Sequence, residues 1–401
     1  MKKILLLGGS AQQIIAIETA KKMGYYTVVC DYLKDNPGQN YADKFYLEST
    51  TDKDKILEIA KKEKIDGIVA YASDPAAPTA AYVAEKLGLP TSPYNSVKIL
   101  SNKDLFRNFL KENGFNCPKM ISVTRYEDLV VKIKELKLPV IIKPVDSSGS
   151  KGIRKIDNLN NLRIFFDNAL KYSRSKRVIV EEMVETVGFP LAGDGFSVNG
   201  KLVFWAFSDD HFDYNSKNPL APISETYPYI QPYSLQKKVV KEIQKLLDLL
   251  KMKTGAYNFE ARIDKEENIY LMEVGPRNGG NGIPLITKYA TGIDMLEYTI
   301  KGSLGEDCSS LIQKEVKGFW STYMLHSNIS GVLKEVIIDE NYKKQNLISL
   351  TLNYKCGDKI GVFDGANGAI GTLLSKYTSY SEMMEKVYNL DKYVKIILEE
   401  K

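Results

Sequence analysis

The sequence predicts a multidomain α/β and α+β protein: a doubly wound parallel sheet first, a strand-rich α+β region in the middle, and a small β-rich domain at the end. Three observations carry this expectation. The first ninety residues alternate short apolar runs with amphipathic stretches of about ten to fourteen residues, the rhythm of a parallel sheet covered on both faces. From 183 to 276 strand-like runs dominate, interrupted by one long amphipathic stretch. From about 306 the chain is mostly strands and turns, as in "SLTLNYKCGDKIGVF", before a last helix near "SYSEMMEKVYNL".

Taken in order, "KILLLGG" is a buried strand and "QQIIAIETAKKMG" a helix stopped by Gly24. "YTVVCD" is a second strand, "DKDKILEIAKKEK" a second helix, "DGIVAY" a third strand and "AAYVAEKLG" a helix closed by Gly88. Ligands of such sheets bind at the carboxyl ends of the strands, which here carry Gly8-Gly9-Ser10, Asp31 and Ser73-Asp74. Asp31 stands at the distance that suits a ribose, but Ser10 and Gln13 occupy the second and third glycine positions of GxGxxG, which argues against a dinucleotide fold. "LPTSPYNS" (89–96) reads as a linker, giving a first domain over 1–92. One helix is expected over "SVKILSNKDLFRNFLKENG". After it come strand "KMISV", helix "YEDLVVKIKEL", strand "LPVIIKP", loop "VDSSGSKG", strand "IRKI", a helix and strand "RVIVEEM". "SLQKKVVKEIQKLLDLLKM" is an amphipathic core helix with no chemistry of its own.

Composition removes several classes. The 55 basic residues exceed the 50 acidic by only five and are spread along the chain, so no nucleic-acid footprint is expected. No apolar run approaches the roughly 20 residues of a membrane span, and "MKKILLLGGS" has too short an apolar run for a leader. Four cysteines without a CxxC pair and two histidines argue against zinc, a disulfide framework or a His-based metal centre. A cytoplasmic protein is the expectation.

The chemistry concentrates in two places. In "KPVDSSGSKG" (143–152) small residues leave backbone amides open to an anion, flanked by Lys143 and Lys151. No GK[ST] follows, so this is not a Walker loop. Lys143 ends the apolar run "PVIIK", where a partly buried ammonium needs an anionic partner. The second place is "AYNFEARID" and "NIYLMEVGP", adjacent strands joined by a turn at "KEEN". An antiparallel hairpin sets Glu260 and Glu273 roughly opposite one another, where like charges are unfavourable without a cation between them. Mg²⁺ meets that need, taking one or two carboxylates and completing its shell with phosphate oxygens. Arg277 follows in "YLMEVGPRNGGNG", placed to grip a phosphoryl group or a carboxylate through two parallel hydrogen bonds.

This ordered set (a lysine on a helix, a lysine before a small-residue loop, "VIVEEMV", and two strand carboxylates followed by an arginine) resembles the ATP-grasp superfamily. The tail "YKCGDKIGVFDGANGAIGTLLSKYTSYSEMMEKV" looks like the C-terminal domain of its biotin carboxylase and purine-biosynthetic branches. The resemblance implies a pre-ATP-grasp domain over 1–92, an ATP-grasp domain over 93–305 with a lid at about 118–180, and a C-terminal domain over 306–401. It assigns Lys103 and Lys143 to the ATP phosphates, and the loop residues Ser147, Ser148, Gly149, Ser150 and Gly152 to a cover over them. Glu181 and Val184 become the hinge that meets the adenine edge through backbone groups, with Glu185 or Asp194 near the ribose. Glu260 and Glu273 bind Mg²⁺ or Mn²⁺, and Arg277, Lys143 and His211 contact the reacting groups. One departure stands out. Many members read Glu-x-Asn-x-Arg, the Asn being a third metal ligand; here Gly275 takes that place, leaving Asn278 or Asn281 to compensate.

The family's chemistry implies an ATP-dependent carboxylate–amine ligase. A small-molecule carboxylate is activated as an acyl phosphate and joined to an amine, with release of ADP and phosphate; a homodimer is common among the relatives. Two rivals stay open: an enzyme that uses bicarbonate as the acid, and a non-catalytic nucleotide-binding subunit.

Overall fold

The computed structural model describes residues 1–399. In the N-terminal part the chain runs β1 (Lys3–Leu7), α1 (Ile14–Lys22), β2 (Tyr26–Asp31), β3 (Lys44–Leu47), α2 (Lys53–Glu63), β4 (Gly67–Val69) and α3 (Ala77–Leu87). The strands form a parallel sheet in the order β3-β2-β1-β4. Strand β3 was not expected; "KFYL" is short and only half-buried, so its apolar signal is weak. The turn after β1 is filled by Gln13, whose amide donates to the carbonyls of Leu7 and Tyr71 and accepts from the N–H of Ser10.

The helix expected over 96–114 is two: α4 (Tyr94–Leu100) and α5 (Lys103–Glu112). The break at Ser101-Asn102 makes Lys103 the first residue of α5. A four-stranded antiparallel layer follows, built from β5 (Met120–Val123), α6 (Tyr126–Lys132), β6 (Val140–Pro144), β7 (Arg154–Ile156), α7 (Leu162–Tyr172) and β8 (Val178–Glu182), with strand order β5-β8-β6-β7. It has an apolar core of its own, including Val123, Leu129, Ile142, Phe166 and Val180. That separate core is what a segment moving as one body requires.

The remaining elements are β9 (Leu191–Val198), β10 (Lys201–Phe212), β11 (Pro222–Tyr227), α8 (Tyr233–Leu249), β12 (Gly255–Ile263), β13 (Ile269–Gly275), α9 (Ile283–Thr291) and α10 (Met295–Ser303). Then come β14 (Phe319–Leu325), β15 (Gly331–Ile338), α11 (Glu340–Gln345), β16 (Leu347–Leu352), β17 (Lys359–Ile360), β18 (Gly371–Tyr377), α12 (Tyr380–Tyr388) and β19 (Val394–Glu399). One eight-stranded sheet runs β13-β12-β9-β10-β11-β14-β18-β16, so the hydrogen-bond ladder continues from the central region into the C-terminal strands. Helix α8 buries Val239, Ile243, Leu246 and Leu247 in a core shared with β12, β13 and the N-terminal helices. No helix among the described residues is long and apolar enough to cross a membrane.

Candidate active site

A cleft of about 830 Å³ lies where the N-terminal sheet, the small antiparallel layer and the large sheet meet. All four strand ends of the N-terminal sheet reach it, through Gly8 and Ser10, Asp31, Ser49 to Thr51, and Ser73 to Pro75. Asp31 itself is committed locally, accepting from the N–H groups of Gly9 and Leu33.

The acid pair is placed by a bulge. From the turn, Ile263 pairs with Ile269 and Ala261 with Leu271; a register shift between Glu260 and Ala261 then sets Glu260 opposite Glu273. Without it Glu260 would face Met272, and Glu273 would point to the other side of the sheet. Lys103 Nζ stands 3.0 Å from Glu273 Oε2 and donates to the Ser147 carbonyl at 3.1 Å. Burial, and then the neighbouring Glu273, raise the Glu260 carboxyl above its ordinary range, against the pull of Lys103, Lys143 and Arg277. Glu260 is nonetheless open to the cleft: protein surrounds it on all sides but that one. Two hard oxygen donors whose mutual repulsion the neighbouring cations offset only in part fit Mg²⁺ or Mn²⁺. Among the described residues no third His, Cys, Asp or Glu completes a metal cluster.

Beneath the pair is a buried ionic triad. Arg107 Nε lies 2.9 Å from Glu181 Oε2, and Lys143 Nζ binds the other oxygen of the same carboxylate. Desolvation would raise Glu181, but Arg107 and Lys143 outweigh it and hold it at about 2. For Lys143 burial is the largest effect and lowers its ammonium, with Arg107 and Lys103 adding to it against Glu181. Two cations on one anion leave the triad with a net positive charge beside the cleft, which a phosphate would balance.

The small-residue loop is a hairpin tip between β6 and β7. Ser147, Ser148, Gly149, Ser150 and Lys151 line the cleft. Gly149 has φ +66°, and a Cβ there would lie 3.0 Å from Ala366, so the turn and the close approach both require glycine. The loop docks on the C-terminal region: Ala366 N–H donates to the Gly149 carbonyl at 3.1 Å, Asn218 to the Ser150 carbonyl at 3.0 Å, and Arg154 pairs with Asp364 at 2.6 Å.

Arg277 forms a two-pronged pair with Asp74 from the N-terminal sheet, Nε–Oδ1 2.7 Å and Nη2–Oδ2 2.6 Å. Gly275 explains the fit. A Cβ at 275 would come within 2.8 Å of Asp74 Oδ1 and 3.3 Å of the Arg277 guanidinium. An asparagine at this position is incompatible with the fork, so the departure from Glu-x-Asn-x-Arg and the Asp74–Arg277 pair belong together.

Several assignments change on this geometry. His211 does not line the cleft: it is buried between Thr226 (2.8 Å) and Tyr388 (3.1 Å), and burial lowers it to about 4, so it is a neutral packing residue. Gly152 packs against Tyr172 and Ala169 of α7, away from the cleft. Glu185 is exposed outside it. Asp194 is fully buried and accepts from Gly279 N–H and from Asn258, anchoring the glycine-rich loop. Glu181 spends its side chain in the triad, and its backbone lies within the ladder between β5 and β6. Glu182, Met183 and Val184 line the cleft, although the Val184 carbonyl already accepts from Arg262 at 2.8 Å. Asn278 is buried and bonded to Thr299, whereas Asn281 lines the cleft. Sequence reasoning missed Arg107, hidden as one polar residue in an amphipathic helix, and Asn258, the strand partner of Gly275.

Residues 109–297 match the family model "D-ala D-ala ligase C-terminus". The carbamoyl phosphate synthase large chain of Thermotoga petrophila is 25% identical over 332 residues, 78% of this chain. The match covers 29% of that protein, so the chain spans less than a third of its length. An L-amino acid ligase from Bacillus licheniformis superimposes with a TM-score of 0.82 at 22% identity, covering 100% of this chain and 99% of its own. The biotin carboxylase domain of the 2-oxoglutarate carboxylase of Hydrogenobacter thermophilus, solved with MgADP, ADP and bicarbonate, gives 0.76 at 14% identity, covering 99% and 91%. These likenesses and the strand order define the ATP-grasp fold. Residues 109–297 carry that family's pattern, and the whole chain has the fold of these neighbours.

Proposed function

We propose that this protein is an ATP- and Mg²⁺-dependent ligase that activates a small-molecule carboxylate as an acyl phosphate and joins it to an amine, releasing ADP and phosphate. The observation that carries the reading is Glu260 facing Glu273 on adjacent strands, with Lys103 3.0 Å from Glu273, in a cleft also lined by the 147–151 loop. Glu260 and Glu273 would hold a divalent ion, which when bound would supply charge neutralisation for the triphosphate. Lys103 and Lys143 hold phosphate oxygens, and the backbone of the 147–151 loop covers them. Glu182 to Val184 border the base. Arg277, oriented by Asp74, presents its remaining N–H groups to the carboxylate that attacks the γ-phosphorus. The carboxylate oxygen forms the new bond to phosphorus while the bond to ADP breaks; the amine then attacks the acyl carbon, expelling phosphate and losing a proton. An acyl phosphate hydrolyses readily, so the lid segment (about 118–180) excludes water when docked on the Ala366 loop.

The test is an ADP-release screen over paired acids and amines with Glu273→Gln as blank. Turnover that requires both partners supports the reading; AMP as product overturns it. A second reading takes bicarbonate as the acid. It is favoured by the similarity to a carbamoyl phosphate synthase and by the bicarbonate present in the carboxylase structure. Stimulation of ATP turnover by bicarbonate alone selects it.

A further inference from the structure

We propose that a second pair of facing carboxylates, Asp210 on β10 and Glu225 on β11, forms the subsite that receives the amine substrate as its ammonium. The proposal rests on the ligase reading and names the substrate class that reading leaves open. Asp210 and Glu225 are direct partners across the β10–β11 ladder, and both line the cleft. Like charges in that arrangement repel unless a cation lies between them.

No cation among the described residues pairs with them; Arg262 acts on Asp210 and Arg277 on Glu225 only from further off. Among the described residues Glu273, Glu181 and Asp74 each have a lysine or arginine nitrogen within 4.0 Å, whereas neither Asp210 nor Glu225 does. Asp210 is 5% exposed, and its Oδ1 is buried without a hydrogen-bond partner. Glu225 Oε2 accepts from Ser208 Oγ at 2.6 Å and Tyr227 Oη at 3.0 Å, which fixes the carboxylate at the wall of the cleft. Burial raises Asp210 well above its ordinary range, with Glu225 and Glu260 adding to it, and burial likewise raises Glu225 to about 7. An ammonium between them favours both charged forms.

The location suits an acceptor. Glu260 pairs with Ala192 and Ala192 with Ser208, two residues before Asp210, so both acid pairs share one face of the sheet. Strands β10 and β12 flank β9, which sets the nearest members, Asp210 and Glu260, about 12 Å apart and the centres of the two pairs about 15 Å apart. An amine held at the second pair therefore lies in the same cleft, on the side towards which an acyl phosphate formed at the first pair can extend. Phe212, Leu220 and Ile223 line the cleft next to it, a wall that suits the carbon skeleton of an organic ammonium better than a hydrated metal ion.

The test is thermal melting at saturating MgADP, with methylammonium, 1,4-diaminobutane and glycinamide as probes and acetamide and 1,4-butanediol as uncharged controls. At least one ammonium probe should raise the melting temperature where the controls do not. Its apparent affinity should fall at least tenfold in Asp210→Asn and in Glu225→Gln, and vanish in the double variant. MgADP titration of every variant checks that the cleft is folded. A wild-type chain that fails to bind MgADP overturns the ligase reading. A chain that binds MgADP but gains nothing from any ammonium probe, or keeps the gain in the double variant, overturns the amine subsite alone. Mg²⁺ by itself reproducing the gain, with loss in the double variant, replaces the subsite with a metal site.

Discussion

On β12 and β13 Glu260 faces Glu273; on β10 and β11, two strands away on the same face, Asp210 faces Glu225. Both pairs open on one cleft, yet their surroundings are opposite. The first has Lys103 in contact, with Lys143 and Arg277 near enough to act on Glu260. The second has no basic nitrogen within 4.0 Å, only Arg262 acting on Asp210 and Arg277 on Glu225 from further off, and apolar residues line the cleft beside it. Facing carboxylates alone do not say which cation they take; the company they keep does. Lysines around the first pair suit a metal that arrives with several phosphate charges, because the lysines share those charges. The second pair, with no cation in contact, suits a single positive charge on an organic skeleton.

The comparison depends on the frame under the first pair, and breaking that frame gives the largest expected effect. Glu181→Gln leaves Arg107 and Lys143 buried together without their anion, at a cost of about 3–5 kcal/mol. The sign with pH follows from a carboxyl lowered from 4.5 to about 2. Its stabilisation is fully present above about 4.5 and is lost as the pH falls towards 2. Melting curves should therefore show wild type well above the variant at neutral pH and the gap closing in acid. A gap that stays constant with pH would mean that the Glu181 charge does not hold Arg107 and Lys143 together.

Glu273→Gln comes next. It removes a metal oxygen and the partner of Lys103, and ADP release should fall about 100- to 1000-fold, the usual scale for losing one transition-state charge contact. The same change on the second pair, Glu225→Gln, should instead raise the KM for the amine about tenfold, with MgADP binding retained. Equal losses at both pairs would erase the distinction. Gly275→Asn is smaller. Its side chain collides with Asp74 and splits the fork on Arg277, a partly exposed pair, at about 1–3 kcal/mol. A lowered melting temperature should come with a raised KM for the acid substrate.

Legibility followed the length of the connections. Glu260 and Glu273 were readable because a short turn at Lys265–Asn268 fixes the register by counting, and the bulge at Met272 moved it by one residue in the favourable direction. Asp210 and Glu225 are joined by residues 213–221, through which no register can be counted, so nothing in the sequence shows that they face one another. Periodicity found the helix bearing Lys103 but not its break, because Ser101 and Asn102 interrupt no apolar position. Arg107 was invisible for a related reason: a buried ion pair depends on Glu181, 74 residues away. The alternating N-terminal sheet and the Lys143 loop were plain from pattern alone, being local features.

The pH dependence of the second pair sharpens the comparison most. Glu225 is raised from 4.5 to about 7, mainly by burial, with Asp194 adding to it and Ser208, Tyr227 and Arg277 opposing; Asp210 faces it across the ladder. The folded chain thus binds this proton more tightly than the unfolded one. Stability should be highest below about pH 4.5 and fall as pH rises to 7, the reverse of the Glu181 trend. A shift of this size corresponds to about 3 kcal/mol over that range, the same order as for Glu181 but of opposite sign. Glu225→Gln should flatten that slope between pH 4.5 and 7, and in wild type a bound ammonium probe should flatten it too, because a cation between the carboxylates restores their ordinary acidity. A slope that Glu225→Gln removes but the probe leaves intact would mean that the carboxylates repel there without any cation to receive.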